Sequence, residues 1–358
     1  MYKHQLVFFC LLLIFACKKE KQNPVNGEDD CNAITNNTAF PINIPDWKVE
    51  FFETGQFEYW SWQPYFLNET TGFIFEDNGH VLKTMDSGST WKMVLENIQA
   101  APRSMFFVDD KNGFLSVQNL TGCPDNCDHR MTIFRTVDGG ETWQKSIHDK
   151  DGIIWTIYFS DTLNGIGVAL IPTGNYRQRI IRTNDGGITW EILPLSGLNG
   201  LTIFQMQMLN GQEGFFAGDQ GKLYRTKDGG ATFDSVQTLL LQFQRVHFFD
   251  NMVGMASDFY KTYSTSDGAN TWQLVCDRGT TLFHWVDHSE ILTVQTAHTC
   301  VDYDVLMSDA GFFVSPNRGQ TWEQSNLSQN FGIYNYHFPL PNVGFGMYGS
   351  KLVKFTKQ

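Results

Sequence analysis

The chain has 358 residues, a formal net charge of -12, 42% hydrophobic, 15% aromatic and only 18% charged residues, with 32 Gly and 11 Pro. That length holds one large repeat-built domain or two ordinary ones and needs no disulfides to make a core, and the Gly, Pro and aromatic content suits short strands joined by turns better than helices. The acidic balance argues against nucleic acid as a partner, because binding a phosphate backbone relies on Lys and Arg displacing counterions.

Lys3 precedes an almost wholly apolar run from Gln5 to Ala16. About 12 apolar residues are too few to cross the ~30 Å hydrocarbon core as a helix, so residues 1–16 read as an export signal. The segment Ile14-Phe15-Ala16-Cys17 resembles a bacterial lipoprotein signal. The resemblance implies lipid on Cys17 as the first mature residue, and a location in the bacterial cell envelope, periplasmic or at the outer-membrane surface. Membrane contact is then through the lipid anchor only. Residues 17–45 lack apolar periodicity and read as a flexible tether.

From Trp47 onward the chain repeats. The octet Thr-x-Asp-x-Gly-x-Thr-Trp is intact at Thr84–Trp91, Thr136–Trp143 and Thr183–Trp190, and varied at Thr226–Phe233, Thr265–Trp272 and Ser315–Trp322. The carboxylates or amide at its third position are Asp86, Asp138, Asp185, Asp228, Asp267 and Asn317. Successive copies start 39 to 52 residues apart, the length of a four-stranded propeller blade. Within each octet the side chain at position three is expected to accept turn N–H groups, the fifth residue to take positive φ, and the Trp to anchor an outer strand. A calcium reading fails on chemistry, since each copy brings one carboxylate and a Ca²⁺ loop spreads several.

A second ruler runs alongside. An aromatic or Met stands six residues before a glycine at Phe66/Gly72, Phe107/Gly113, Phe159/Gly165, Met208/Gly214, Phe248/Gly254 and Phe338/Gly344, with Trp285 leading to Ile291 in the sixth unit. These starts count seven blades against six octets. The seventh unit stops after a third strand at Leu352–Phe355, and Trp47–Phe52 reads as an outer strand without its own blade. Pairing the two closes the ring, which predicts an all-β, seven-bladed propeller of four-stranded antiparallel blades over residues 46–358. A six-bladed ring would leave the pattern around Phe338 unexplained.

With those motifs in view, the region from Trp47 to Gln358 resembles the bacterial relatives of the photosystem II stability and assembly factor, an Asp-box (BNR) repeat propeller family. The resemblance implies a scaffold that holds a membrane-protein partner, with arginines on its surface in the contact. Asp-box turns also occur in sialidases, glycosidases of the xyloglucan type and sortilin-like receptors, so the repeat speaks for fold more than for function.

Binding is expected on the rim opposite the octets, where the innermost strands begin and second strands turn into third strands. Near those inner-strand starts stand Trp62, Arg103, Trp155, Phe204, Tyr334 and Arg245, residues that also suit packing between blades. Insertions at 119–130, 172–179 and 296–309 add Tyr176, Arg177 and Arg179 to the candidate ligand-binding set. The Arg135, Arg182, Arg225 and Lys83 series beside the octets reads as bracing or solvent-facing. Cys123 and Cys127 suit a short disulfide, Cys276 and Cys300 a second one, and Cys31 is left in the tether. A Zn²⁺ site on Cys123, Cys127 and His129 lacks a second ligand pair, so neither a metal nor another cofactor is expected.

The function expected is an exported, lipid-anchored, non-catalytic binding or assembly scaffold for an envelope protein or glycan. The alternative is a glycoside hydrolase of the Asp-box type, which requires paired carboxylates. Glu58, Asp258 and Asp277 can approach the channel but share no motif, and no sialidase Phe-Arg-Ile-Pro segment precedes the first octet.

Overall fold

The computed structural model describes residues 46–358 apart from 54–62, 76–78, 97, 99, 120–129, 173–176, 194–202, 219–221, 237–244, 259–260, 277–281, 296–310, 325–332 and 349. The proposed signal, tether and Cys17 therefore lie outside the described residues. So do Trp62, Tyr176, Cys123, Cys127 and Cys300.

Seven four-stranded antiparallel sheets make up the propeller, six of them with strands in simple chain order. The seventh is shared: Trp47–Glu53 pairs antiparallel with Lys351–Lys357, with Trp47 opposite Lys357 and Glu53 opposite Lys351. The N-terminal strand thus closes the ring by covering what would be an open edge. Blades are numbered here from Gln63 to the shared blade seven.

No single centre holds the core. Seven apolar clusters each sit at one junction between neighbouring blades, including Phe66, Ile74 and Leu82 against Phe345, Met347 and Leu352 where blade seven meets blade one.

The aromatic-to-glycine ruler has a direct steric cause. A hairpin places the aromatic opposite the glycine, as Phe66 opposite Gly72 and Phe159 opposite Gly165. The ring lies over it: a Cβ added at Gly113 would come within 2.5 Å of the Phe107 ring, and one at Gly344 within 2.2 Å of Phe338. On its other face the same ring stacks on the residue after the glycine in the preceding blade. Phe66 meets Phe345 at 3.4 Å between centroids, Phe159 meets Phe114 at 3.6 Å and Phe248 meets Phe215 at 3.5 Å. Blade six has Ile291 in place of the glycine, and its Trp285 Nε1 donates instead to the His247 carbonyl at 3.1 Å.

The octets form as the residue types require. In blade two, Asp138 Oδ1 accepts from the Thr136 hydroxyl (2.8 Å) and the Thr142 amide (2.9 Å), while Oδ2 accepts the Thr142 hydroxyl at 2.6 Å. Those bonds, the Thr142 side chain first, hold the Asp138 carboxyl down at about 2. Asn317 does the same work in blade six, accepting the Thr321 amide at 2.8 Å and donating to its hydroxyl at 2.9 Å. Positive φ extends further than the sequence suggests. Both the fourth and fifth positions are left-handed, as at Gly139 and Gly140 (74° and 81°), and blade five accommodates the buried Ala269 there at 69°.

A second turn series was not read from the sequence. Two residues after the inner-strand aromatic, Asn68, Asp109, Asp161, Asn210, Asp250 and Asp287 each cap the first hairpin by accepting amides two and three positions on. The carbonyls of that turn then receive the octet's fourth amide, for example Gly139 N–H to Lys111 at 2.9 Å.

Candidate binding face at the channel mouth

The innermost strand of every blade is a sheet edge, and its free amides face the neighbouring blade. Side chains from the preceding blade cap them. Tyr65 Oη accepts the Phe107 amide at 3.0 Å, Gln205 Oε1 the Val246 amide at 2.9 Å, and His337 Nδ1 the Phe66 amide at 3.0 Å. Gln207 takes both groups of Phe248, accepting its amide at 2.7 Å and donating to its carbonyl at 2.9 Å. Capping on this scale blunts the edges against pairing with another strand.

Three of the candidate residues stand at β-bulges. Inner-strand register shifts between Pro102 and Ser104, between Ile154 and Thr156, and between Ile203 and Gln205. The extra residues are Arg103, Trp155 and Phe204, each at the position picked out four residues before the aligned aromatic or Met. At Arg103 and Trp155 the bulge takes the residue out of the ladder and re-aims its side chain. Arg103 and Trp155 meet across the junction of blades two and three, the guanidinium 4.9 Å from the indole centroid. Gln118 fixes the arginine from below, accepting from Nε at 3.0 Å and also from Nη2. Trp155 keeps 38% of its surface exposed, so the indole is not consumed by packing. Beside it, Thr156, Val168, Gln178, Ile203 and Met206 surround a cavity of about 420 Å³.

The other candidates are placed less completely. Arg179 lies opposite Ala169 in an extended third strand, Arg177–Thr183, and its Nη1 donates to the Gln178 carbonyl at 3.0 Å. Residues 177–179 of the blade-three insertion are thus lengthened strand, paired with the end of strand Gly165–Ile171. Arg177 stands opposite Ile171 in that ladder. Arg245 begins the inner strand of blade five opposite Ser257, and Tyr334 pairs with Met347 in blade seven. Cys276 pairs with Thr262 at the end of an outer strand. Of the acids considered for glycoside hydrolysis, Glu58 and Asp277 fall outside the described residues, and Asp258 Oδ1 caps a turn by accepting the Lys261 amide at 2.6 Å.

Residues 149–290 match the family model of the photosynthesis system II assembly factor YCF48. Among solved structures, "YCF48 bound to D1 peptide" is similar with a TM-score of 0.66 at 16% identity, covering 88% of this chain and 99% of that one. YCF48 from Cyanidioschyzon merolae gives 0.60 at 15% identity over 87% and 98% of the two chains. The GH74 enzyme of Niastella koreensis gives 0.56 at 14% identity, with 81% of this chain covering 51% of that one. At these identities the structural likeness shows the fold. No curated protein matches the chain.

Proposed function

We propose that the chain, a photosystem II assembly factor-like BNR propeller, is a non-catalytic binding and assembly scaffold that takes a segment of an envelope protein on its channel-mouth face. The carrying observation is the pair of adjacent bulge residues, Arg103 stacked on the half-open indole of Trp155. A fixed guanidinium over an aromatic face offers a charged donor and an apolar platform together, the combination on which protein interfaces concentrate their energy. The similar YCF48 structure holds a peptide, which favours a protein segment over a glycan as ligand. Lipid on Cys17 would place this face in the cell envelope.

Capture of envelope proteins by the full chain, beside a glycan array, tests the reading. Replacing Arg103 and Trp155 together by Ala is expected to weaken protein capture at least tenfold while the melting curve stays cooperative. Unchanged capture by the folded double variant rejects this face. Intact mass and membrane fractionation of wild type against Cys17→Ala test the anchor, and an unmodified wild type refutes it. The glycosidase alternative draws on the GH74 neighbours. Turnover of xyloglucan, lost in Asp258→Asn, is the result that would favour it.

A further inference from the structure

One residue before the octet, the third strand carries a cation in four blades, Lys83, Arg135, Arg182 and Arg225, and blade seven, which has no octet, carries Lys354 at the equivalent place of its third strand. At four junctions this cation crosses to the next blade. Lys83 Nζ reaches Glu141 at 2.6 Å, and Arg225 Nη1 donates to the Gly268 carbonyl at 3.3 Å. Lys354 Nζ donates to the Glu69 carbonyl at 3.2 Å and the Ser87 hydroxyl at 3.3 Å. Arg135 lies so close to Gly186 that a Cβ there would stand 3.0 Å from its Nη1.

Between blades three and four the arrangement differs. Arg182 turns back within its own blade, its Nη2 3.2 Å from Glu191 Oε2. The space beside it is a cavity of about 370 Å³ bounded by Asp161, Asn164, Arg182, Gln212, Asp228 and Gly229. Its walls repeat those of the filled junctions. A Cβ at Gly229 would lie 2.9 Å from the Gly211 carbonyl, as one at Gly186 would from Thr162 and one at Gly268 from Asn251. The sister glycines next meet a guanidinium nitrogen at 3.0 Å, whereas Gly229 next meets only Gln212 Nε2 at 4.0 Å.

The charge of the cavity also fits. Asp161 is held ionised by the Asn164 side chain and then by the Asn164 and Leu163 amides. At Asp228 burial works against ionisation, but the Thr232 hydroxyl and amide outweigh it. Arg182, the cation on the rim, is engaged by Glu191. The junction of blades five and six, where Ser264 replaces the cation, has a smaller cavity of about 220 Å³ with Arg318 in its wall, so its charge has the opposite sense.

We propose that the cavity between blades three and four is a binding site for a guanidinium group, presented by an arginine side chain of a protein docking on the octet-bearing rim. This site is on the face opposite the channel mouth and does not depend on the function assigned there. The same chain shows the chemistry at neighbouring junctions, where its own arginines fill the equivalent place.

The test titrates the full-length protein with Nα-acetyl-arginine methyl ester, following the Gly211 and Gly229 amide resonances. The isosteric, uncharged Nα-acetyl-citrulline methyl ester is the control. The arginine ester is expected to saturate both resonances and the citrulline ester to bind at least tenfold more weakly. Asp161→Asn is expected to keep the fold, since Asn68 and Asn210 cap the same turn in blades one and four, and to weaken the arginine ester at least threefold. Equal binding of the two esters, no effect of Asp161→Asn, or no binding to wild type overturns the proposal. Binding seen only after Arg182→Ala overturns it as well, because the junction is then closed by the chain's own arginine.

Discussion

Asp138 illustrates what one octet side chain does. Its carboxylate organises a turn through bonds to Thr136 and Thr142. Asn317 shows that an amide suffices for that geometry. Asp138→Asn is therefore expected to melt close to wild type, and Asp138→Ala several degrees lower, as read by thermal unfolding. Equal melting of the two variants would remove the turn bonds from the account. The glycine partners of the inner aromatics are less forgiving. Gly113→Ala pushes a methyl into the Phe107 ring, which is itself pinned on Phe73 at 5.2 Å between centroids. Overpacking of this kind costs about 2 kcal/mol, measurable by denaturant unfolding. Both motifs were legible as residue patterns. The bulge at Arg103, Trp155 and Phe204 was not, because an extra residue in a strand leaves no mark on an aromatic-to-glycine ruler counted from its far end.

At the scale of elements, the closing strand and the inner edges carry the largest consequences. Trp47 is 4% exposed and packs at 6.4 Å from Phe338, so Trp47–Glu53 contributes core as well as ladder bonds. Deleting residues 46–53 is expected to lower the melting temperature sharply and promote aggregation through the bared Lys351–Lys357 edge, while deleting residues 18–40 leaves melting unchanged. Identical curves would reject the shared blade. At the inner edges Gln207 satisfies two backbone groups of Phe248 with one side chain. Gln207→Ala orphans both, and a buried unpaired group costs about 1–3 kcal/mol. An unfolding free energy within error of wild type would show that water replaces the amide. The first strand's role follows from counting repeats, since a lone outer strand and a unit that lacks one have one way to close. Which side chain caps which neighbour depends on blade-to-blade spacing and could not be counted.

Three successive junctions of the ring carry neutral histidines on inner strands. His247 Nδ1 meets the Phe283 carbonyl at 2.6 Å, His284 Nε2 the Pro341 carbonyl at 2.9 Å, and His337 Nδ1 the Phe66 amide at 3.0 Å. Burial pushes His284 down to about 3 and His337 to about 4, and lowers His247. In the unfolded chain each titrates near ~6.5. Between that value and the folded one the unfolded state binds more protons, so this contribution is complete above pH ~6.5 and falls away towards pH ~4. His337 alone accounts for about 3 kcal/mol of the expected loss. Melting temperature should hold above pH ~6.5 and drop from there to pH ~4.5, with a shallower slope in His337→Gln, and a flat profile would contradict the neutral seam. Below pH ~4 the octet carboxylates add their own loss, since Asp138 is held at about 2 and its bonds fail only as it protonates.

Blade number, strand order and ring closure were determined by the sequence itself, because they rest on local chemistry that repeats: a turn built within eight residues and an aromatic paired with a glycine six residues on. The binding face was an expectation drawn from the rule that rigid strands leave variation to one rim, and it stands as the proposal made above. Only the tertiary structure decided which residues meet. Arg103 and Trp155 are 52 positions apart and meet because two bulged strands face each other across a junction. Lys83, Arg135 and Arg225 look equivalent to Arg182 along the chain, yet they cross to the next blade and Arg182 does not. Local bonds repeat with the sequence; contacts between blades depend on the distance and angle at which two repeats are packed, and those are properties of the closed ring.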